Sequence, residues 1–270
     1  MSTSAVQYIN GRKTFNPLGK INLTPSSPIL IRKHLENNPE VFTPLCQSLT
    51  ISPALTFHDV LSTTDPDLLA LIPRPINALI LCVEPPIYKA ARESIAPTIP
   101  TYTSYGPTEP VFWARQTIGN ACGLMALLHC VLNLPTKDNQ LPGGYVAPES
   151  NLATILHRAV DLPPAERAQL LYDSQFLEDA HMAAAQRGVS HIPPSEEYTA
   201  HFVGFVRTVD GRVWELNGGL NGPFLRGVLP RDGGGDLLSE EGLRLTVGDF
   251  VDAARGVEGG MSVVAIAEEA

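Results

Sequence analysis

Apolar positions change period several times along this chain, and each change predicts an element. Asn38-Pro39-Glu40 has the chemistry of a helix start, with Val41, Leu45 and Leu49 following at helical spacing. The segment from Leu55 to Leu61 alternates as a strand does, and Asp65-Pro66-Asp67 then opens a short helix that ends before Pro73 and Pro75. Ile76 to Val83 is a continuous apolar run of strand length, which predicts a buried strand. A short helix is expected near Tyr88–Glu93, followed by a Pro-, Thr- and Tyr-rich loop to Pro110. From Gly123 to Leu134 the chain is apolar on all sides until Pro135 stops it, the pattern of a helix buried in a core.

Beyond a Gly-Gly loop, Ser150 to Val160 and Pro164 to Ala185 read as helices. The stretch from about 174 to 199 holds a helical piece and then Gly188, Pro193, Pro194, Glu196 and Glu197, so at least its second half reads as loop. A hairpin follows, with His201 to Arg207 and Arg212 to Asn217 flanking the turn signal Asp210-Gly211. A third strand is expected near Phe224 to Val228, a flexible Asp232–Asp236 loop next, a capped helix from Thr246 to Arg255, and a last strand from Met261 to Ala267. Residues 1–34 show no sustained periodicity and read as a loosely structured extension. Residues 35–270 then form one mixed α/β domain, since no linker divides them.

Composition narrows the classes. With 44% hydrophobic and 17% charged residues a packed core is expected rather than disorder. A formal net charge of -9 argues against nucleic-acid binding, which needs clustered Lys and Arg. No apolar run approaches the ~20 residues of a membrane span, and no secretory leader is visible. Four cysteines (Cys46, Cys82, Cys122, Cys130) lack the crowding of a disulfide scaffold, which fits a reduced cytosolic or nuclear protein. No Cys/His spacing suggests a metal site and no glycine pattern a nucleotide loop, so no cofactor is expected.

Candidate chemistry centres on Cys122, which opens the apolar helix. Unpaired N–H groups and the helix dipole there stabilise a thiolate, lowering its pKa and making a nucleophile for acyl transfer. The same position also suits a buried structural cysteine. Gln116, six residues earlier, could join the Cys122 N–H in an oxyanion hole, or be an ordinary loop residue. His201 opens the first hairpin strand and Asn217 closes the second, so the antiparallel pairing brings these ends side by side. That pair could be a general base with its orienting amide, or an edge histidine and a turn asparagine. Spacing alone does not decide between these readings.

The run Gln116-Thr-Ile-Gly-Asn-Ala-Cys122-Gly123 resembles the active-site motif of the papain-like ubiquitin carboxyl-terminal hydrolase (UCH) family. Similar blocks stand in the same order: Leu35 to Phe42, Phe57-His-Asp-Val60, Ile72-Pro73-Arg74-Pro75, Pro164 to Ala168, and His201-Phe202 with Trp214 to Gly218 and Gly222-Pro223. The resemblance implies a single α/β (α+β) domain with helices around a mainly antiparallel sheet, and a knotted backbone. It further implies a monomeric deubiquitinating thiol hydrolase that acts on small or flexible ubiquitin adducts and needs no metal or cofactor. Carried over, Cys122 is the nucleophile, His201 the general base and acid, and Gln116 the oxyanion stabiliser. Asn217 orients His201, at a position where the family usually has Asp. The segment at about 174–199 corresponds to a crossover loop over the site. Two rival expectations are a catalytically weakened ubiquitin-binding homologue and a hydrolase of another ubiquitin-like protein.

Overall fold

The computed structural model describes residues 6–9, 11–16, 18, 39–135, 143–187, 200–230 and 235–269. Two short strands, β1 (Gln7–Ile9) and β2 (Arg12–Thr14), pair as an antiparallel hairpin. Helix α1 (Pro39–Ser48) buries Val41, Phe42, Leu45 and Cys46. Strand β3 (Leu55–Asp59) and helix α2 (Pro66–Leu69) follow, and the Asp65 carboxylate caps α2 by accepting from the Asp67 and Leu68 amides. Strand β4 (Ala78–Val83) is buried throughout, and α3 (Pro85–Arg92) starts three residues before the expected Tyr88 because Pro85 and Pro86 suit a helix's first turn.

Helix α4 (Cys122–Asn133) is the buried helix, and α5 (Asn151–Val160) is capped by Ser150. The expected single helix from Pro164 to Ala185 is two: α6 (Pro164–Tyr172) and α7 (Gln175–Arg187). The Asp173 amide closes α6, and the Ser174 hydroxyl accepts from the Leu177 amide to open α7. Strands β5 (His201–Arg207), β6 (Arg212–Leu216) and β7 (Phe224–Val228) form a meander. Helices α8 (Glu240–Thr246) and α9 (Gly248–Ala254) replace the single helix expected from Thr246, and β8 (Met261–Glu268) ends the fold. Thr246 is no cap, since its hydroxyl donates back to Gly242 O inside α8, whose true cap is Ser239.

The main sheet has the order β3-β8-β4-β5-β6-β7, and all five pairings are antiparallel. Successive β4 side chains enter opposite cores. Ala78, Ile80 and Cys82 pack with α1 and α4, whereas Leu79, Leu81 and Val83 pack with α3, α8 and α9. A strand buried on both faces explains the unbroken apolar run at this position. The sheet therefore lies between two helical layers. Helix α4 comes very close to β5, because a Cβ on Gly204 would stand 2.9 Å from Cys130 Sγ and 3.1 Å from Ala126 O.

Two boundary expectations change. Residues 6–18 are not loosely structured where described: Phe15 and Leu18 are buried in the core, and β2 bridges to Gly119. The first half of the expected crossover segment is α7, which packs Leu177, Ala180, Ala184 and Ala185 into the core beside α1. Its second half, 188–199, lies outside the described residues, as do the Asn38 cap and most of the 232–236 loop. Among the described residues no helix is long and apolar enough to cross a membrane.

Candidate active site

Cys122 is the first residue of α4 and is half-buried. The strip leading to it, residues 111–121, is fastened by groups that its own sequence does not advertise. On α4, one turn apart, Asn133 and His129 turn polar atoms toward this strip. Asn133 Oδ1 accepts from the Phe112 amide (2.7 Å), its Nδ2 donates to Phe112 O (2.8 Å), and His129 Nε2 accepts from the Ala114 amide (3.1 Å). Arg167 on α6 donates to Trp113 O (2.7 Å) while pairing with Glu109 (2.9 Å). Asn120, two residues before Cys122, has a φ of 55°, the left-handed region that asparagine tolerates better than most residues.

The strip's far end meets the chain just past β6. The Gln116 amide donates to Gly218 O (2.9 Å), and Trp113 Nε1 donates to Asn217 O (3.2 Å). A Cβ on Gly218 would stand 2.8 Å from both Gln116 Cβ and Gln116 N, so glycine is what lets the two segments touch. The Gln116 side chain is half-buried and spends one N–H on Ile118 O (3.0 Å). Its amide keeps a second donor.

His201 and Asn217 meet as the hairpin predicted, with His201 Nε2 donating to Asn217 Oδ1 at 3.0 Å. The amide's orientation is fixed from both sides. Oδ1 also accepts from the Gly219 amide (2.9 Å), and Nδ2 donates to the Tyr88 hydroxyl (2.9 Å). Tyr88, on α3, also sets its ring edge-on to the His201 imidazole with centroids 4.5 Å apart. Sequence reasoning missed Tyr88, and its only signal was a helix that presents it on the same face as the buried Arg92, four residues on. Burial lowers the His201 pKa below the ordinary histidine value, and the Asn217 hydrogen bond opposes that shift.

Cys122 reaches this pair through the backbone at the start of β5. Its Sγ lies 3.9 Å from Ala200 O, and the Phe202 amide hydrogen-bonds the sulfur. Asn217 engages His201 Nε2, which leaves His201 Nδ1 as the nitrogen able to serve the thiol. The expected fall in the thiol pKa does not follow. Burial pushes it up, outweighing the amides of Phe202, Gly123 and Cys122 and the charge of Arg12, which pull it down. Helix-start amides are present as expected, but desolvation is the larger effect.

All four predicted residues thus gather at one end of the sheet. The cysteines are free, and Cys46, Cys82 and Cys130 are buried. Among the described residues no group of three His, Cys, Asp or Glu side chains could hold a metal ion.

The model for "Ubiquitin carboxyl-terminal hydrolase, family 1" matches residues 33–250, which include every residue of this constellation. The chain belongs to this family. Among curated ubiquitin carboxyl-terminal hydrolases, the one from Aplysia californica is 32% identical over 199 residues, covering 73% of this chain and 86% of the relative. YUH1 of Saccharomyces cerevisiae is 30% identical over 226 residues, covering 82% and 88%. The fold also matches the UCH37 catalytic domain of Trichinella spiralis, solved bound to ubiquitin vinyl methyl ester, with a TM-score of 0.61 at 20% identity. That alignment covers 91% of this chain and 97% of the UCH37 domain. The expected antiparallel α/β architecture of the ubiquitin hydrolase family is therefore the one observed.

Proposed function

We propose that this chain is a cysteine-type deubiquitinating hydrolase that cuts the bond after the C-terminal glycine of ubiquitin through a Cys122 thioester. The observation that carries the mechanism is the oriented His201–Asn217 pair at the start of α4, beside a strip that presents Gln116. The Cys122 sulfur attacks the glycine carbonyl, and its proton passes to His201 Nδ1. The Cys122 N–H and the free Gln116 donor stabilise the oxyanion where negative charge develops. As the carbon–nitrogen bond breaks, His201 returns its proton to the leaving amine. It then deprotonates a water that attacks the thioester, releasing the ubiquitin carboxylate and the Cys122 thiol.

Ala200 O, just before β5, lies 3.9 Å from the Cys122 sulfur, so backbone crowds the nucleophile on that side. This supports a site that passes small or flexible leaving groups faster than folded ones. The test is hydrolysis of a ubiquitin–aminocoumarin conjugate set beside a ubiquitin fusion to a folded domain. Cys122→Ala should remove turnover of both, and wild type should favour the coumarin. Equal rates would reject the leaving-group preference. Turnover of another ubiquitin-like conjugate in place of ubiquitin would move the assignment to that modifier.

Asn217 orients His201 but supplies no negative charge. An aspartate there would keep the same acceptors for His201 and Gly219, and the Tyr88 hydroxyl can turn from accepting to donating. The carboxylate would favour imidazolium, raising the His201 pKa and easing transfer of the thiol proton. Asn217→Asp is therefore expected to move the alkaline limb of the kcat/KM profile up, by about one pH unit. A superimposable pH–rate profile would count against this account of Asn217.

A further inference from the structure

Residues 12–15, at the end of the N-terminal hairpin, hydrogen-bond to Gln116, Thr117, Gly119 and Asn120 of the strip. The Gly119 amide donates to Lys13 O (2.8 Å), and the Phe15 amide donates back to Gly119 O (3.0 Å). Asn120 Nδ2 donates to Phe15 O (3.2 Å). Arg12 Nε donates to Thr117 O (2.9 Å), and its Nη2 reaches Gln116 O (3.5 Å). Gly119 is shaped for this neighbour, since a Cβ there would stand 2.7 Å from Thr14 Oγ1.

The hairpin is anchored on its other side to the helical layer. Lys13 Nζ pairs with Glu178 (2.6 Å) and donates to Tyr172 O (2.9 Å), while His181 Nε2 donates to Asn16 O (2.7 Å) with its ring against Phe15. A segment held this firmly on both sides is a brace. It lies ahead of residues 33–250, where the family pattern matches, so it is an addition to that pattern.

We propose that this hairpin is part of the active site, and that Arg12 is a positioning residue. Its guanidinium holds the carbonyls of Gln116 and Thr117, which aims the Gln116 donor, and sets a positive charge within reach of Cys122. The proposal rests on the hydrolase reading above. Charged and titratable groups acting on Cys122 are Arg12 from the hairpin and Cys82 from β4, which itself feels Glu84, with His201 at the adjoining end of β5. Lys13 is matched by Glu178, whereas Arg12 makes no ion pair among the described residues. Among the described residues Arg12 is thus the hairpin cation without an ion pair, and its charge favours the thiolate over the thiol.

The experiment compares wild type with Arg12→Gln and Arg12→Lys, using Cys122→Ala as the control. Two quantities are read: kcat and KM on ubiquitin–aminocoumarin, and the pH dependence of Cys122 alkylation by iodoacetamide, followed by intact mass. Arg12 is solvent-exposed, so Arg12→Gln should melt with wild type. Its kcat should fall about tenfold with KM changed less than about twofold, because the effect acts on transition-state charge rather than on binding. Its alkylation midpoint should rise by about half a pH unit, and Arg12→Lys should restore the midpoint but not kcat. A kcat within about twofold of wild type, an unmoved alkylation midpoint, or a loss that simply follows a lowered Tm would each overturn the proposal. Failure of wild type to cleave ubiquitin conjugates would instead sink the hydrolase reading, and the alkylation comparison would still decide the role of Arg12.

Discussion

Arg92→Ala should lower the unfolding free energy by about 3–5 kcal/mol and remove most of the catalytic activity at physiological temperature. Arg92 and Glu215 are both fully buried, at 1% and 0% side-chain exposure. They are joined by bonds of 2.9 Å from Nε and 2.6 Å from Nη2, and Nη1 donates to Ala91 O and to Asp249. The guanidinium also lies 4.1 Å from the centroid of the Phe250 ring. Truncating the arginine leaves the Glu215 carboxylate in an apolar core with no cation, and that uncompensated charge is the main cost.

The functional loss follows from position. Arg92 stands one helical turn after Tyr88, and Glu215 stands two residues before Asn217, so this ion pair sets how α3 meets the end of β6. If α3 shifts, the Tyr88 hydroxyl leaves the Asn217 amide and the His201 tautomer loses its support. Arg92→Met combined with Glu215→Leu removes both charges and should recover much of the stability lost in the single variant. Denaturant melts of the three proteins check this. A single-variant loss below about 1 kcal/mol would show that the pair contributes little to the fold.

The contrast between what the sequence revealed and what it concealed follows the range of the forces involved. That Cys122, Gln116, His201 and Asn217 come together was legible because a helix start, a preceding glutamine and a hairpin are local patterns, and because the family's motifs lie in one order. Strands β4 to β6 were legible for the same reason, since apolar runs and Asp210-Gly211 speak within a few residues. The fastening of the site was not local. His129 and Asn133 lie within a helix read as apolar on all sides, yet their polar atoms hold a strip 15 to 21 residues away in sequence. Tyr88 and Arg92 meet their partners across more than 120 residues. Residues 6–18 carry a composition that suggests little order, and the structure of those described comes from docking onto Gly119, Glu178 and His181 rather than from their own propensity. The break at Asp173-Ser174 and the Ser239 cap did carry local signals, and Gly242 sits inside the helix that Ser239 caps. A Cβ there would collide with Asp236 O and stand 2.7 Å from Leu237 Cα, which is why glycine sits inside a helix.

Acid should unfold this protein well before its surface carboxylates are exhausted, because two histidines are buried uncharged. Burial pulls His129 and His181 from the ordinary value of 6.5 down to about 4. Between those limits the unfolded chain takes up protons that the native state refuses. For a group whose folded pKa is depressed, stability is fully present above the unfolded pKa and is lost as pH falls toward the folded one. Each histidine contributes a slope of about 1.4 kcal/mol per pH unit, so the pair should cost roughly 3 kcal/mol for each unit between about pH 6 and 4.5. His201, also lowered by burial, adds to the same slope. Asp59 and Glu109 have carboxyls raised by burial, so they bind protons more readily when folded and offset part of the loss near the acid end. Native stability is typically about 5–15 kcal/mol, so a loss of about 4–5 kcal/mol over this window approaches the lower end of that range. The site should fail with the fold, since a protonated His129 Nε2 can no longer accept the Ala114 amide that holds the strip before Gln116. Urea melts at several pH values give the slope directly, and a stability independent of pH from 7 to about 4.5 would mean that these imidazoles gain their protons without unfolding the chain.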